Sequence, residues 1–261
     1  MPNLPASVRV ALWATHAWSL GADTESIVAR ALPDVDVVLG LTESLELWRD
    51  LGERAVFAAL PRPGSPGQLP RVDPAVFDAA ATAGEALFVA GVGGLLVPRL
   101  VIFGADSPGE AAPATTGLAA RWEAFDADPV PLHRIAGVDV AGADRALRTE
   151  VHAAIDALGD GGWADAWQGE TSTASVPANE HRWALPSDLP DRVRGLLMRA
   201  GSILEITDAG LAHAQGSSSV GLGEHRTRTL RALNETATAA LEAATGAGVS
   251  YLSAQSRRTR S

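Results

Sequence analysis

The sequence predicts a mixed α+β protein: a small mixed four-stranded sheet packed with helices, followed by a C-terminal helical hairpin. Three observations carry that class. Residues 54–128 hold short β-rich apolar runs separated by glycine- and proline-rich turns. Residues 191–250 place apolar side chains at helical spacing on one face. The composition, 46% hydrophobic and 20% charged over 261 residues, is that of a globular chain with a sizeable core.

Within 6–20, Val10, Ala14 and Trp18 recur at helical spacing, and Gly21 ends the helix. Asp23 or Thr24 can cap a second short helix, which Pro33 stops. Val38, Leu41, Leu45 and Trp48 form an i, i+3, i+7, i+10 stripe, so a third helix is expected up to Asp50, closed by Gly52. Residues 54–60 read as a short strand. The stretch 61–74, with five prolines and two glycines, is a loop, and Asp73-Pro74 reads as the N-cap and first position of a helix through Ala83.

Residues 85–104, EALFVAGVGGLLVPRLVIFG, are the most apolar stretch. A membrane helix needs about 20 uninterrupted apolar residues, whereas only Ala86–Pro98 lacks charge, and Gly93-Gly94 interrupts it. A dinucleotide loop needs G-x-G-x-x-G, but position 96 is Leu and no helix start follows. The expected structure is a hairpin of central strands 86–92 and 95–103 turning on Gly93-Gly94. Pro98 removes a ladder donor there and implies a bulge or an edge.

Residues 105–117 read as a loop and 121–128 as the fourth strand, ended by Pro129 and Pro131. Leu147, Val151, Ala154, Ile155 and Leu158 mark a helix over 141–159. Residues 160–190 are irregular and carry Trp163, Trp167 and Trp183, whose rings could dock in a core or stack on a ligand. Two amphipathic helices follow, with stripes Val193, Leu197, Ala200, Leu204 and Leu230, Leu233, Ala237, Leu241, Ala244; residues 215–223 join them into an antiparallel hairpin. The first has a further apolar edge at Leu196 and Ile203, which must pack on the rest of the chain or on another chain. The expected organisation is an α/β domain at 1–159, a linker at 160–190, the hairpin at 191–250 and a flexible tail at 251–261.

Composition also bounds function. A net charge of −10 disfavours nucleic acid, whose binding is driven by phosphate neutralisation. Zero cysteine excludes disulfides, thiol catalysis and Cys-ligated metal sites. All 21 basic residues are Arg, which removes Schiff-base and P-loop chemistry, both of which need a lysine. Residues 1–20 lack the basic start of a signal peptide, so the expected location is the cytoplasm, with no membrane association.

Asp126-x-Asp128, at a strand end, has the form of a pair that holds a divalent cation on a nucleotide-sugar diphosphate, because carboxylate oxygens suit Mg²⁺ or Mn²⁺. No nucleotide-binding strand precedes it, so the two Asp are expected to be structural, ending a strand before a proline turn. None of the six histidines forms an H-x-H or H-E-x-x-H, and His152, with Arg148 and Asp156 one turn away, lies on a solvated helix face. No G-x-S-x-G elbow is present. The 61–74 loop leaves a strand and enters a helix, the place where open α/β sheets hold ligands. Its Arg62, Ser65 and Arg71, with Asp126 and Asp128, are therefore the candidate ligand-binding residues; the sequence identifies no catalytic residue, and no metal or cofactor is expected.

The runs LELWRDLGERAVFAALPRPG (45–64) and DADPVPLHR (126–134) resemble segments of conserved proteins of unknown function from high-GC actinobacteria, and the resemblance extends over most of residues 8–160 and part of the C-terminal helices. It implies nothing about catalysis, cofactor or substrate, and it agrees with the lysine-free composition. The function expected from sequence is that of a non-catalytic protein acting through a protein partner or homo-oligomer. The alternative is a small-molecule-binding protein or metal-assisted transferase with its site near the 61–74 loop and Asp126/Asp128.

Overall fold

The structure, a computed structural model, describes residues 4–103, 117–158, 185–214 and 220–258. The loop expected at 105–117 therefore lies outside the described residues except for Gly117. So do Trp163, Trp167 and Trp183 of the linker, and residues 215–219 of the hairpin connection. The chain forms two compact units. One holds the sheet and comprises Pro5–Gly137, Arg182–Leu189 and Thr245–Ser261; the other comprises Met1–Leu4, Val138–His181 and Pro190–Ala244.

In the sheet unit, α1 (Ala6–Leu20) is buried on nearly all sides and ends as expected at Gly21, whose φ is +71°. The Gly21 N–H donates to Trp18 O and the Ala22 N–H to Ala17 O, which satisfies the last-turn carbonyls. Next come α2 (Glu25–Ala31), β1 (Val37–Leu39), α3 (Leu41–Asp50), β2 (Phe57–Ala59) and α4 (Pro74–Ala83). The hairpin β3 (Ala86–Val89) and β4 (Gly94–Phe103) follows, then β5 (Gly117–Asp126) and the short α5 (Leu132–Ala136).

Among the described residues the sheet has five strands, not four, in the order β1-β5-β4-β3-β2; β1 runs parallel to β5 and every other pair is antiparallel. The additional strand, β1, contains Val38, which the helical stripe had assigned to the third helix. Gly40 separates the two: its φ is +77°, and a Cβ there would stand 2.5 Å from the Trp122 carbonyl oxygen. Leu41, Leu45 and Trp48, the rest of the stripe, are buried as expected.

The hairpin exists, but its turn is Ala90–Gly93, four residues wide, because Val89 pairs with Gly94. Gly93 takes φ +74°, whereas Gly94 already belongs to β4. The Glu53 carboxylate holds the wider turn by accepting the Gly91 and Val92 N–H groups at 2.7 and 2.6 Å. Gly94 lies against the Trp48 indole, where no Cβ fits. The strands are covered on both faces only in part: Ala86–Val89 and Leu95–Pro98 are buried, but Arg99–Phe103 are exposed. Pro98 sits opposite Trp122 in unbroken register, without a bulge. It falls where β4 has lost β3 and, among the described residues, keeps β5 as its sole strand partner, an edge position that spares the ladder its missing donor.

In the other unit, α6 (Val140–Leu158), which the sequence grouped with the α/β domain, lies with α7 (Asp191–Ala214) and α8 (Val220–Arg258) up to Ala244. Both expected stripes are buried, and so is Leu196; Ile203 is half-buried. That edge therefore packs within the chain. Asp144 receives hydrogen bonds from Arg148 and Arg199, tying α6 to α7. The Asn234 amide donates to Thr207 Oγ1 and Asp208 Oδ1, both at 2.8 Å, tying α8 to α7. Helix α8 continues through residues expected to be a flexible tail, and from Thr245 onward it belongs to the sheet unit, where Val249 and Leu252 are buried.

Candidate functional site

The five residues singled out in the sequence do not converge. The Arg62 and Ser65 backbones bond to each other in both directions at 2.8 Å, closing a turn over Pro63-Gly64. The Arg62 side chain then turns inward: its Nε is buried, and a Cβ on Gly84 would stand 2.5 Å from its Nη1. Arg71 and Asp128 do come together, since the Asp128 N–H donates to the Arg71 carbonyl at 2.9 Å. Asp126 pairs with Gly94 in the ladder, and both Asp side chains are exposed. Among the described residues, no group of three or more His, Asp or Glu is placed to hold a metal ion.

Arg71 lines two neighbouring clefts. The larger, about 500 Å³, has walls of Pro66, Leu69, Pro70 and Phe77; the smaller, about 260 Å³, includes Asp128 and Ile135. Arg134 lines both, and sequence reasoning missed it; the run DADPVPLHR contains it, but nothing in its spacing distinguishes it from any other arginine. The arrangement could seat a small anion against an apolar wall. Asp78 and Asp128 line the same clefts and offset both cations.

The buried charges of the sheet unit serve the fold. Glu85 accepts the Ser7 N–H at 2.7 Å, satisfying a free donor in the first turn of α1. Burial pushes its carboxyl above the usual range, opposed by the Ser7 hydrogen bonds and by the charges of Arg9 and Arg62. Arg9, itself buried, holds Asp34 with two bonds at 2.5 and 3.1 Å. His16 is pulled below its usual value by burial and by Arg30, against the raising influence of Asp188. Glu85 also lines a third cleft, of about 510 Å³, together with Asp78, Thr82, Arg99 and Glu123.

The far end of the sheet has a different character. Beyond Val97, β4 and β5 run on together without β3, and Leu100, Val101, Ile102 and Phe103 are 52, 47, 68 and 42% exposed. The register places Arg99 opposite Arg121, both exposed, and aligns β1 residues Val37 and Leu39 beside Ala119 and Arg121. Strand alternation puts Val37, Leu39, Arg99, Val101, Phe103 and Arg121 on one face. Like charges directly opposite destabilise a ladder, and neither arginine has an ion pair among the described residues.

Fold and surfaces together describe a two-unit α+β protein with an exposed apolar sheet end. The chain belongs to the Rv1486c-like protein family: its N-terminal domain matches residues 7–135 and its C-terminal domain residues 141–259. The family takes its name from a mycobacterial gene, in keeping with the actinobacterial resemblance, and its description names no activity. No curated protein and no solved structure matches the chain. No helix among the described residues is long and apolar enough to cross a membrane.

Proposed function

We propose that this chain is a non-catalytic protein that acts by binding a protein partner or a second copy of itself through the exposed end of its sheet. The observation behind this reading is the run Leu100–Phe103, four consecutive large apolar residues left exposed on a strand that, among the described residues, is paired on one side. Covering a Leu or Ile side chain is worth roughly 1.5–3 kcal/mol, and a half-paired apolar strand is a template for another chain. The reading includes the cytoplasmic location and the C-terminal helical hairpin expected from sequence; the bonds from Asn234 to α7 support the hairpin.

The test is a photo-crosslinking residue at Ile102, with the same probe at exposed Leu20 as control, activated in cells that produce the protein. A discrete adduct from position 102 and none from position 20 is the expected outcome. Absence of any adduct from 102 overturns the reading.

A further inference from the structure

We infer that the end of β4 pairs with the same stretch of a second copy, so that two sheets join edge to edge along Arg99–Phe103. The inference rests on the association reading above and names its partner and its register. An antiparallel strand turns the N–H and C=O of alternate residues to opposite edges. Pro98 keeps its place opposite Trp122 in an unbroken ladder although it has no N–H. Position 98 therefore faces away from β5, toward the edge that β3 occupies at Gly94–Leu96. Leu100 and Ile102 share that parity. Past the last β3 pair, Leu87 with Leu96, their N–H and C=O groups meet no backbone partner among the described residues. The strands at the outer edges, β1 and β2, have three residues each, whereas Arg99–Phe103 is a run of five, all exposed. An open edge of that length is a template for another strand.

The sequence of this edge is complementary to itself. A two-fold axis through Val101, normal to the sheet, sets Arg99 against the partner's Phe103, Leu100 against the partner's Ile102, and Val101 against the partner's Val101. Leu100 and the partner's Ile102 both turn their backbone groups to the seam, as an antiparallel hydrogen-bonded pair requires. Two of these pairings join apolar side chains, and the third lays a guanidinium beside an aromatic ring that attracts it. Within its own chain Arg99 faces only the like charge of Arg121 across the ladder. An axis moved to Leu100 would oppose Pro98 to the partner's Ile102 and leave that carbonyl without a donor. The seam ends where β3 begins, so each strand fills the gap that the other copy's β3 leaves. A five-residue seam is smaller than a standard interface, so the dimer should depend on concentration.

The experiment uses the purified full chain, which has no cysteine, so a single introduced one reports the register. Val101→Cys faces its own copy in a non-hydrogen-bonded pair, where Cα atoms stand about 4.5 Å apart, within reach of a disulfide. Arg99→Cys would hold its two thiols more than about 13 Å apart. Mild oxidation should link Val101→Cys into a dimer and leave Arg99→Cys and exposed Leu20→Cys as monomers. By light scattering, the wild-type mass should rise with concentration toward twice 27.0 kDa. Ile102→Pro removes a donor from the seam at the parity where Pro98 already leaves the β5 ladder intact, and it should stay monomeric with a thermal melt near wild type. A wild type that is monomeric up to about 1 mM, a dimer indifferent to Ile102→Pro, or Arg99→Cys linking as readily as Val101→Cys overturns the inference. If Ile102→Pro fails to fold, the cysteine variants decide. A monomer whose Ile102 probe crosslinks a different protein sinks the self-pairing and leaves the association reading standing, whereas a probe that gives no adduct sinks both.

Discussion

Burial disfavours the charged form of Glu85, and stability should record it. Its folded pKa lies above its ordinary 4.5, with burial as the largest cause. Below 4.5 both folded and unfolded chains carry the proton, and the group's contribution to stability is complete. As pH rises, the unfolded chain ionises first, so that contribution is lost through the window from 4.5 up to the raised folded value. Glu85→Gln keeps an acceptor for the Ser7 N–H and has no charge to bury. The difference in urea midpoint between Glu85→Gln and wild type should therefore grow in favour of the variant as pH rises above 4.5. A difference that does not change with pH would show that the carboxylate is not the titrating group. This role is invisible in the sequence: Glu85 reads there as the polar start of an apolar run, and its partners Ser7, Arg9 and Arg62 reach it only through the fold.

At the scale of elements, helices were legible because each carries its period and its stops within its own sequence. Gly21 and Asp73-Pro74 bound their helices as expected, and the α3, α7 and α8 stripes are buried. Misreadings fell where tertiary contacts decide. Three residues are too few to show a strand's alternation, so β1 was absorbed into the α3 stripe. The turn widened because of Glu53, which stands 38 residues before Gly91. Gly94, read as a turn residue, is a packing residue, and this yields a test. Gly94→Ala should cost about 1–3 kcal/mol, as overpacking does, because the new Cβ meets the buried Trp48 ring. Combining it with Trp48→Phe, which shrinks that ring, should cost less than the sum of the two single changes measured by denaturant unfolding. Strict additivity would mean that Gly94 and Trp48 do not share the space.

At the scale of the whole molecule, local sequence patterns lose their reach. The candidate site was half legible: topology pointed to the 61–74 loop, where Arg71 and Asp128 meet, but the inward turn of Arg62 and the presence of Arg134 depend on neighbours remote in sequence. The apolar run at 85–104 drew notice for its hairpin, whereas its exposed end became visible only once β3 was seen to stop short. The division of the chain has the same origin. The family's two domains meet between residues 135 and 141, yet the C-terminal end of α8, inside the second matched region, belongs to the compact unit that contains the sheet. If that grouping is mechanical as well as geometric, Leu252, fully buried on α8, supports the sheet and not the helices before it. Leu252→Ala should then cost roughly 2–5 kcal/mol, as buried Leu truncations do. Amide exchange at Ala86–Val89 should speed up accordingly, because the protection of core strands reports the stability of their unit. Leu230→Ala, at a buried position of α8 in the other unit, is the comparison and should loosen 191–214 first. Exchange at 86–89 untouched by Leu252→Ala, with faster exchange across 191–244, would instead assign the whole of α8 to the helical unit.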